Sequence, residues 1–175
     1  MAKILVTYYS RSGATAKMAE LVAQAARKVK GAQVTLKKVA DVDPKGLADF
    51  DALVVGSPTY YGQMAAEVKK MFDESVAIHG QLEGKVGGAF TSAANIGGGN
   101  ETTILSILEA MLIHGMIIKG TSERDHYGRW RSASRTTAPP KAAKHSVAKS
   151  PNSPSASTAK RNRTSASDTS YSSES

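Results

Sequence analysis

Lys3-Ile4-Leu5-Val6-Thr7-Tyr8-Tyr9, followed by Ser10-Arg11-Ser12-Gly13-Ala14-Thr15, is the stretch on which the reading of the chain turns. The first seven residues are rich in β-formers and read as a buried strand. The next six are mostly small or hydroxyl-bearing and run into Ala16-Lys17-Met18-Ala19-Glu20-Leu21-Val22, a helical pattern. A strand that ends in such a loop and continues as a helix offers free backbone N–H groups at the positive end of the helix dipole, a place for an anion. Ser10, Ser12 and Thr15 add hydroxyls, and Gly13 lets the backbone come close to a ligand. The same hydroxyls would serve as ordinary helix caps, so the loop alone leaves both readings open. It lacks the GK[ST] ending of a triphosphate loop and the full G-x-G-x-x-G of a dinucleotide fold. A single phosphate monoester suits it better than a triphosphate with magnesium.

Outward from this stretch the chain alternates. Met18, Leu21, Val22, Ala25, Ala26 and Val29 give one apolar stripe, predicting a helix from about Ala14 to about Lys30 that closes at Gly31. Gln33 to Lys37 alternates as an edge strand does, and Asp43-Pro44 opens a short helical turn. Ala52 to Gly56 reads as a second buried strand and ends in Ser57-Pro58-Thr59-Tyr60-Tyr61-Gly62-Gln63. A helix over about Ala65 to Ser75 follows. Val86-Gly87-Gly88-Ala89-Phe90 is a third central strand, with glycines suited to close packing, and leads into Thr91 to Asn100. A helix from about Thr102 to Ile113 closes at His114-Gly115, and Met116 to Ile118 starts a fifth strand. Alternation at this spacing implies an α/β fold with a parallel sheet, right-handed crossovers and helices on both faces. Five strands fit the flavodoxin-like order 2-1-3-4-5, a three-layer sandwich.

In that order the strands that precede the three unusual loops are neighbours, so the loops converge on one crevice beyond the carboxyl ends of the strands. Residues 10–15 offer a phosphate cradle. Pro58, Thr59, Tyr60, Tyr61 and Gly62 offer a flat apolar wall with polar tips. Ser92, Ala93, Ala94, Asn95, Gly97 and Gly98 offer a backbone that can approach a polar edge. A planar ring joined to a monophosphate by a polar linker satisfies all three, and FMN is such a molecule. Taken singly, each feature has a plainer reading. The tyrosines could pack on a helix, the glycines could be a flexible connector, and His114 could be a helix-end histidine favoured by the dipole.

Composition bounds the rest. The chain of 175 residues has no Cys, which excludes thiol catalysis and disulfides. The sequence shows no metal-ligand cluster, no signal pattern and no apolar run of membrane-spanning length, and a cytoplasmic protein is expected. The net charge of +8 is uneven: residues 1–128 carry about +1 and residues 129–175 about +7. Basicity therefore belongs to the tail, and a specific nucleic-acid partner is not expected.

Ser10-Arg11-Ser12-Gly13-Ala14-Thr15, Gly56-Ser57-Pro58-Thr59-Tyr60-Tyr61-Gly62-Gln63-Met64, Gly97-Gly98-Gly99-Asn100-Glu101-Thr102 and His114-Gly115-Met116 together resemble the flavodoxin-like NAD(P)H:quinone oxidoreductases of the WrbA type. The resemblance covers residues 1–128. It implies an FMN flavoprotein, a homo-oligomer (dimer or tetramer), that takes hydride from NAD(P)H and passes two electrons to a quinone. It places the phosphate at Ser10 to Thr15, including Arg11 and Ala14, and the flavin ring against Thr59 to Tyr61 and Ser92 to Gly98. It puts His114 where the family has histidines near the flavin, as the catalytic candidate. The connection Val42–Phe50 and the loop near Ser75–Gln81 are shorter than in the family. The competing class is a flavodoxin-type electron carrier without quinone reductase activity of its own.

From Arg129 the composition changes: 13 of the 47 residues to Ser175 are Ser, with few large aliphatics, and a disordered basic tail is expected. No amphipathic stretch follows Gly128, so the last helix of the fold is expected to be missing. Back-translated with GC-rich codons and read one base earlier, residues 129–138 become Pro-Val-Ala-Ile-Gly-Val-Pro-Asp-Asp-Arg, a strand, a turn and a helix start. The tail thus reads as a frameshift product. Three or four core side chains left uncovered, at roughly 1.5–3 kcal/mol each, would weaken the domain.

Overall fold

β1 (Ala2–Tyr8) is buried without interruption from Ile4 to Tyr8, because both of its edges are paired and both faces are covered. The computed structural model describes residues 1–120 and the backbone of residues 129–132. After β1 come α1 (Ala14–Arg27), β2 (Ala32–Lys38), two short 3-10 turns, β3 (Ala52–Pro58), α2 (Ala66–Glu74), β4 (Val86–Ala93), α3 (Asn100–Ile113), β5 (Ile117–Ile118) and β6 (Arg129–Ser132). Every named pairing is parallel, and the sheet order is β2-β1-β3-β4-β5. The expected order 2-1-3-4-5 is the observed one. β2 is the edge strand and lacks any fully buried residue, as its polar alternation requires.

The glycines of the central strands make close contacts possible. In β3, Gly56 lies in register with Phe90 of β4, and a Cβ at Gly56 would fall 2.1 Å from the Phe90 ring. Gly87 does the same for β5 and α3: a Cβ there would meet Ile118 at 2.6 Å and Met111 at 2.8 Å. One face of the sheet packs Leu5, Leu53 and Val55 against α2, α3 and the 3-10 turns through Val68, Met71, Ile104, Ile107 and Met111. The other packs Ile4, Val6, Tyr8 and Phe90 against Met18, Ala19 and Ala23 of α1. On that second face Val54 and Val86 remain only half-buried, and Ile117 is exposed.

The fifth strand position is filled in two pieces. β5 pairs with Val86 and Gly87 at the start of β4, and β6 pairs with Phe90 to Ala93 at its end. The tail expected from Arg129 therefore differs at its first four residues, which form ladder hydrogen bonds beside β4. An unpaired edge of β4 there would leave backbone donors and acceptors without partners. Residues 133–175, and with them the expected loss of the last helix, lie outside the described residues.

Candidate functional site

The buried polar side chains segregate. Among the described residues Thr7, Thr15, Ser57, Thr91, Ser92, Asn100, Thr103 and Ser106 are buried at or near the carboxyl end of the sheet. The remaining two, Ser75 and His114, are buried at the other pole. Burying hydroxyls and an amide is costly unless each is hydrogen-bonded, so such a concentration marks the end of the sheet where polar chemistry is built in.

α1 starts at Gly13, whose φ of 90° is left-handed. No side chain among the described residues caps the helix, and its first turn holds no acidic residue. The capping reading of Ser10, Ser12 and Thr15 is thereby corrected. Ser10 Oγ instead accepts the Gly13 N–H at 3.1 Å and shapes the loop. Thr15 Oγ1 is hydrogen-bonded to Ser92 Oγ at 2.9 Å. Arg11 and Ser12 are exposed, and Ala14 is exposed at the first helical position. The positive pole of a 14-residue helix is left without a compensating carboxylate, the electrostatic condition for holding an anion.

The second loop is a tight hairpin. Tyr60 N–H donates to the Gln63 carbonyl and Gln63 N–H to the Tyr60 carbonyl, both at 3.0 Å. Its central residues, Tyr61 at φ 49° and Gly62 at φ 77°, are both left-handed, the geometry of a two-residue turn. Tyr61 is the sole non-glycine with positive φ among the described residues, and it is fully exposed. That conformation costs roughly 1–2 kcal/mol for a residue bearing a Cβ. Tyr60 meets the Tyr9 ring edge-on, with centroids 6.5 Å apart. A hydrogen bond to the Glu67 carboxylate, with burial adding to it, pushes the Tyr9 phenol above its ordinary value.

The third loop continues β4. Thr59 N–H donates to the Ser92 carbonyl at 2.8 Å, and the Thr59 and Thr91 hydroxyls lie 3.1 Å apart. Thr91 Oγ1 also donates to the Ser57 carbonyl at 2.7 Å. Residues 94–98 are exposed around a turn in which Gly98 N–H donates to the Asn95 carbonyl. Pro58 and Ala93, at the strand ends, are half-buried. Ser92 is the common neighbour: its side chain binds the first loop and its carbonyl the second. The expected convergence of the three loops is what the structure has.

His114 does not join them. It caps the far end of α3, whose 14 residues at about 1.5 Å each separate it from Asn100 by roughly 20 Å. Its Nε2 bonds Ser75 Oγ at 2.8 Å, and Ser75 Oγ donates to the Phe72 carbonyl. The serine's one proton being so committed, Nε2 carries the hydrogen, and the buried Nδ1 has no partner among the described residues. Burial first, then the charge of nearby His79, holds the ring below its ordinary value. As a catalytic candidate beside the three loops of its own chain, His114 is corrected: α3 starts at the third loop and runs away from it.

Sequence reasoning missed Ser57, Thr91, Asn100, Thr103 and Ser106. The signal available was hydroxyls at strand ends and a polar residue at the start of an apolar helix. Ser57 Oγ accepts Ala65 N–H at 2.8 Å and Ser106 Oγ accepts Met64 N–H at 3.1 Å, so these two fasten the end of the second loop. Asn100 is fully buried with both carboxamide atoms unpartnered among the described residues.

Comparison with known proteins agrees with this architecture. A family model described as a flavodoxin domain matches residues 5–94. An "NAD(P)H dehydrogenase (quinone)" of Chromohalobacter salexigens is 40% identical over 143 residues, covering 69% of this chain and 71% of that one. A "Flavodoxin" of Aquifex aeolicus is 40% identical over 124 residues, covering 70% and 67%. Among solved structures, a flavodoxin described as a WrbA-like protein from Agrobacterium tumefaciens superposes with a TM-score of 0.58 at 28% identity, covering 67% of this chain and 76% of that one. With the sheet order, the converging loops and these matches in hand, the chain belongs to the flavodoxin-domain family.

Proposed function

We propose that this protein is an FMN-dependent oxidoreductase that transfers two electrons from NAD(P)H to a quinone. The observation that carries the reading is the meeting, at Ser92, of an uncapped helix terminus with a strained tyrosine hairpin. The terminus at Gly13 to Thr15, with the hydroxyls of Ser10 and Ser12, suits a phosphate monoester, and Arg11 adds a positive charge beside it. The hairpin from Pro58 to Gly62 and the backbone of Ser92 to Gly98 suit a planar ring with a polar edge. Bound FMN would supply the hydride acceptance and the two-electron release. The chain's own work is to hold the phosphate, orient the ring and keep water from one side of it.

The relative named NAD(P)H dehydrogenase (quinone) supports this activity, and the near-neutral charge of residues 1–128 is in keeping with it. The equally similar relative named flavodoxin supports the second reading, an electron carrier without quinone reductase activity. A homo-oligomer is part of the proposal, because Leu112 and Ile113 of α3 stand 58% and 75% exposed on a largely apolar helix. No helix among the described residues is long and apolar enough to cross a membrane; the proposed setting is the cytoplasm.

Titration of the purified protein with FMN, followed by flavin fluorescence, tests the cofactor. Saturable quenching supports it, and its absence in a protein folded by circular dichroism overturns it. Steady-state oxidation of NADH or NADPH with benzoquinone then separates the enzyme from the carrier.

A further inference from the structure

The hairpin that carries Tyr60 and Tyr61 and the first turn of α3 touch backbone to backbone. A Cβ built on Gly99 would fall 2.8 Å from the Cα of Gly62, 3.5 Å from its N and 3.2 Å from Thr102 Oγ1. A Cβ on Gly62 would meet Thr102 Oγ1 at 3.3 Å. Polar bonds surround this contact. Thr102 Oγ1 and Thr103 Oγ1 donate to the Gly99 carbonyl at 3.1 and 2.8 Å, and Thr103 Oγ1 also lies 3.4 Å from the Gln63 carbonyl. Ser106 Oγ receives Met64 N–H and donates to the Thr103 carbonyl at 2.8 Å. The opposite side of the hairpin is tied to β4 by Thr59. The hairpin is therefore held from two sides, and on the α3 side the close approach of the Gly62 backbone exists only because Gly99 has no side chain.

We propose that Gly62 and Gly99 are positioning residues: their contact locks the tyrosine hairpin onto α3 and sets the separation of the two loops that flank the flavin ring. The inference rests on reading the carboxyl end of the sheet as the flavin site. On it, Gly99 belongs to neither a flexible connector nor the ligand's own contacts; it transmits position from α3 to Tyr60 and Tyr61. The neighbouring Gly97 supplies the contrast. It too is left-handed, at φ 72°, but a Cβ there would meet nothing within 4 Å. Alanine at Gly97 brings backbone strain alone, whereas alanine at Gly99, at φ 95°, brings strain and a collision with Gly62.

The test uses the full chain in wild-type, Gly97→Ala, Gly99→Ala and Gly62→Ala forms, with and without FMN. Without FMN, amide hydrogen exchange at Tyr60 and Gln63, whose N–H groups close the hairpin, is expected to quicken at least tenfold in Gly99→Ala and to change little in Gly97→Ala. With FMN, the dissociation constant of Gly99→Ala is expected to rise at least tenfold over that of the wild type. Equal hairpin exchange in the two variants overturns the lock. Faster exchange in Gly99→Ala with unchanged FMN affinity overturns its positioning role. Should Gly99→Ala not fold, Gly62→Ala carries the test, and Thr102→Ala added to it is expected to slow hairpin exchange and restore part of the affinity; no rescue in either overturns the proposal. A wild type that is folded and does not bind FMN sinks the flavin reading, while its hairpin exchange still reports on the lock.

Discussion

The hydroxyls of Thr15 and Ser92, 77 residues apart in sequence, lie 2.9 Å from each other with both side chains buried. This bond joins the start of α1 to the end of β4, at the place where the proposed phosphate and ring sites meet. Removing one partner leaves a buried hydroxyl unpaired, which costs about 1–3 kcal/mol, whereas removing both leaves none. Thr15→Val is expected to lower stability by that order in urea denaturation. Thr15→Val with Ser92→Ala is expected to cost less than the sum of the singles. Both should weaken FMN binding, because the Gly13–Thr15 amides lose their fixed relation to the third loop. Additive single effects would show that the two hydroxyls do not act as a pair.

Gly56 and Phe90 make a second cross-strand relationship, one of volume. Phe90 is 1% exposed, and its ring occupies the space a side chain at Gly56 would need, with three ring atoms within 2.8 Å of an added Cβ. Gly56→Ala therefore forces the ring out of a filled core and is expected to destabilise by about 1–3 kcal/mol or more. In a Phe90→Leu background the same change is expected to cost less, since a branched aliphatic can turn aside. A Gly56→Ala protein with an unchanged urea midpoint would contradict the packing described.

Much of this was legible in local patterns. The strand at Lys3 to Tyr9 and the loop behind it follow from a β-forming run that stops at hydroxyls and Gly13. The sheet order follows from strand and helix alternation, and with it the meeting of the loops. Two things were not legible. The role of Gly99 depends on what lies beside it in space, which a Gly97-Gly98-Gly99 run does not disclose. The ladder at Arg129 to Ser132 is hidden by composition, because two arginines in four residues look like tail. It forms because β4 extends beyond β5 and its edge needs a partner. The place of His114 follows from the polarity of α3, which starts at the third loop and carries its C-terminal end away from the loops of its own chain.

The Ser75–His114 bond carries a pH dependence whose sign follows from burial. His114 is buried as a neutral ring, and burial first, then His79, lowers its folded value below the ordinary 6.5. Below 6.5 the unfolded chain therefore binds more protons than the folded one. This contribution is complete above pH 6.5 and is lost as the pH falls from there through the lowered folded value. The urea midpoint is expected to be lower at pH 5.5 than at pH 7.5. In His114→Gln the difference should shrink, even if the variant is less stable at both. An undiminished difference would assign the acid sensitivity to other groups.

Tyr61 separates function from stability most directly. Its side chain is fully exposed and packs on nothing among the described residues, and its φ of 49° is strained for any residue but glycine. Tyr61→Gly relieves about 1–2 kcal/mol of folded-state strain, against roughly 0.5–1 kcal/mol of added chain entropy in the unfolded state. The variant is thus expected to be as stable as the wild type or slightly more so. A left-handed aromatic held out in solvent is then a feature the fold itself does not need, as is common where strain serves a ligand. If Tyr61 forms a wall of the ring site, Tyr61→Gly should weaken FMN binding about tenfold while Tyr61→Phe, which keeps the flat face, stays close to wild type. Loss of stability in Tyr61→Gly would mean that the ring packs in solution. Unchanged FMN affinity in a variant of full stability would remove Tyr61 from the site and leave Tyr60 as its aromatic wall.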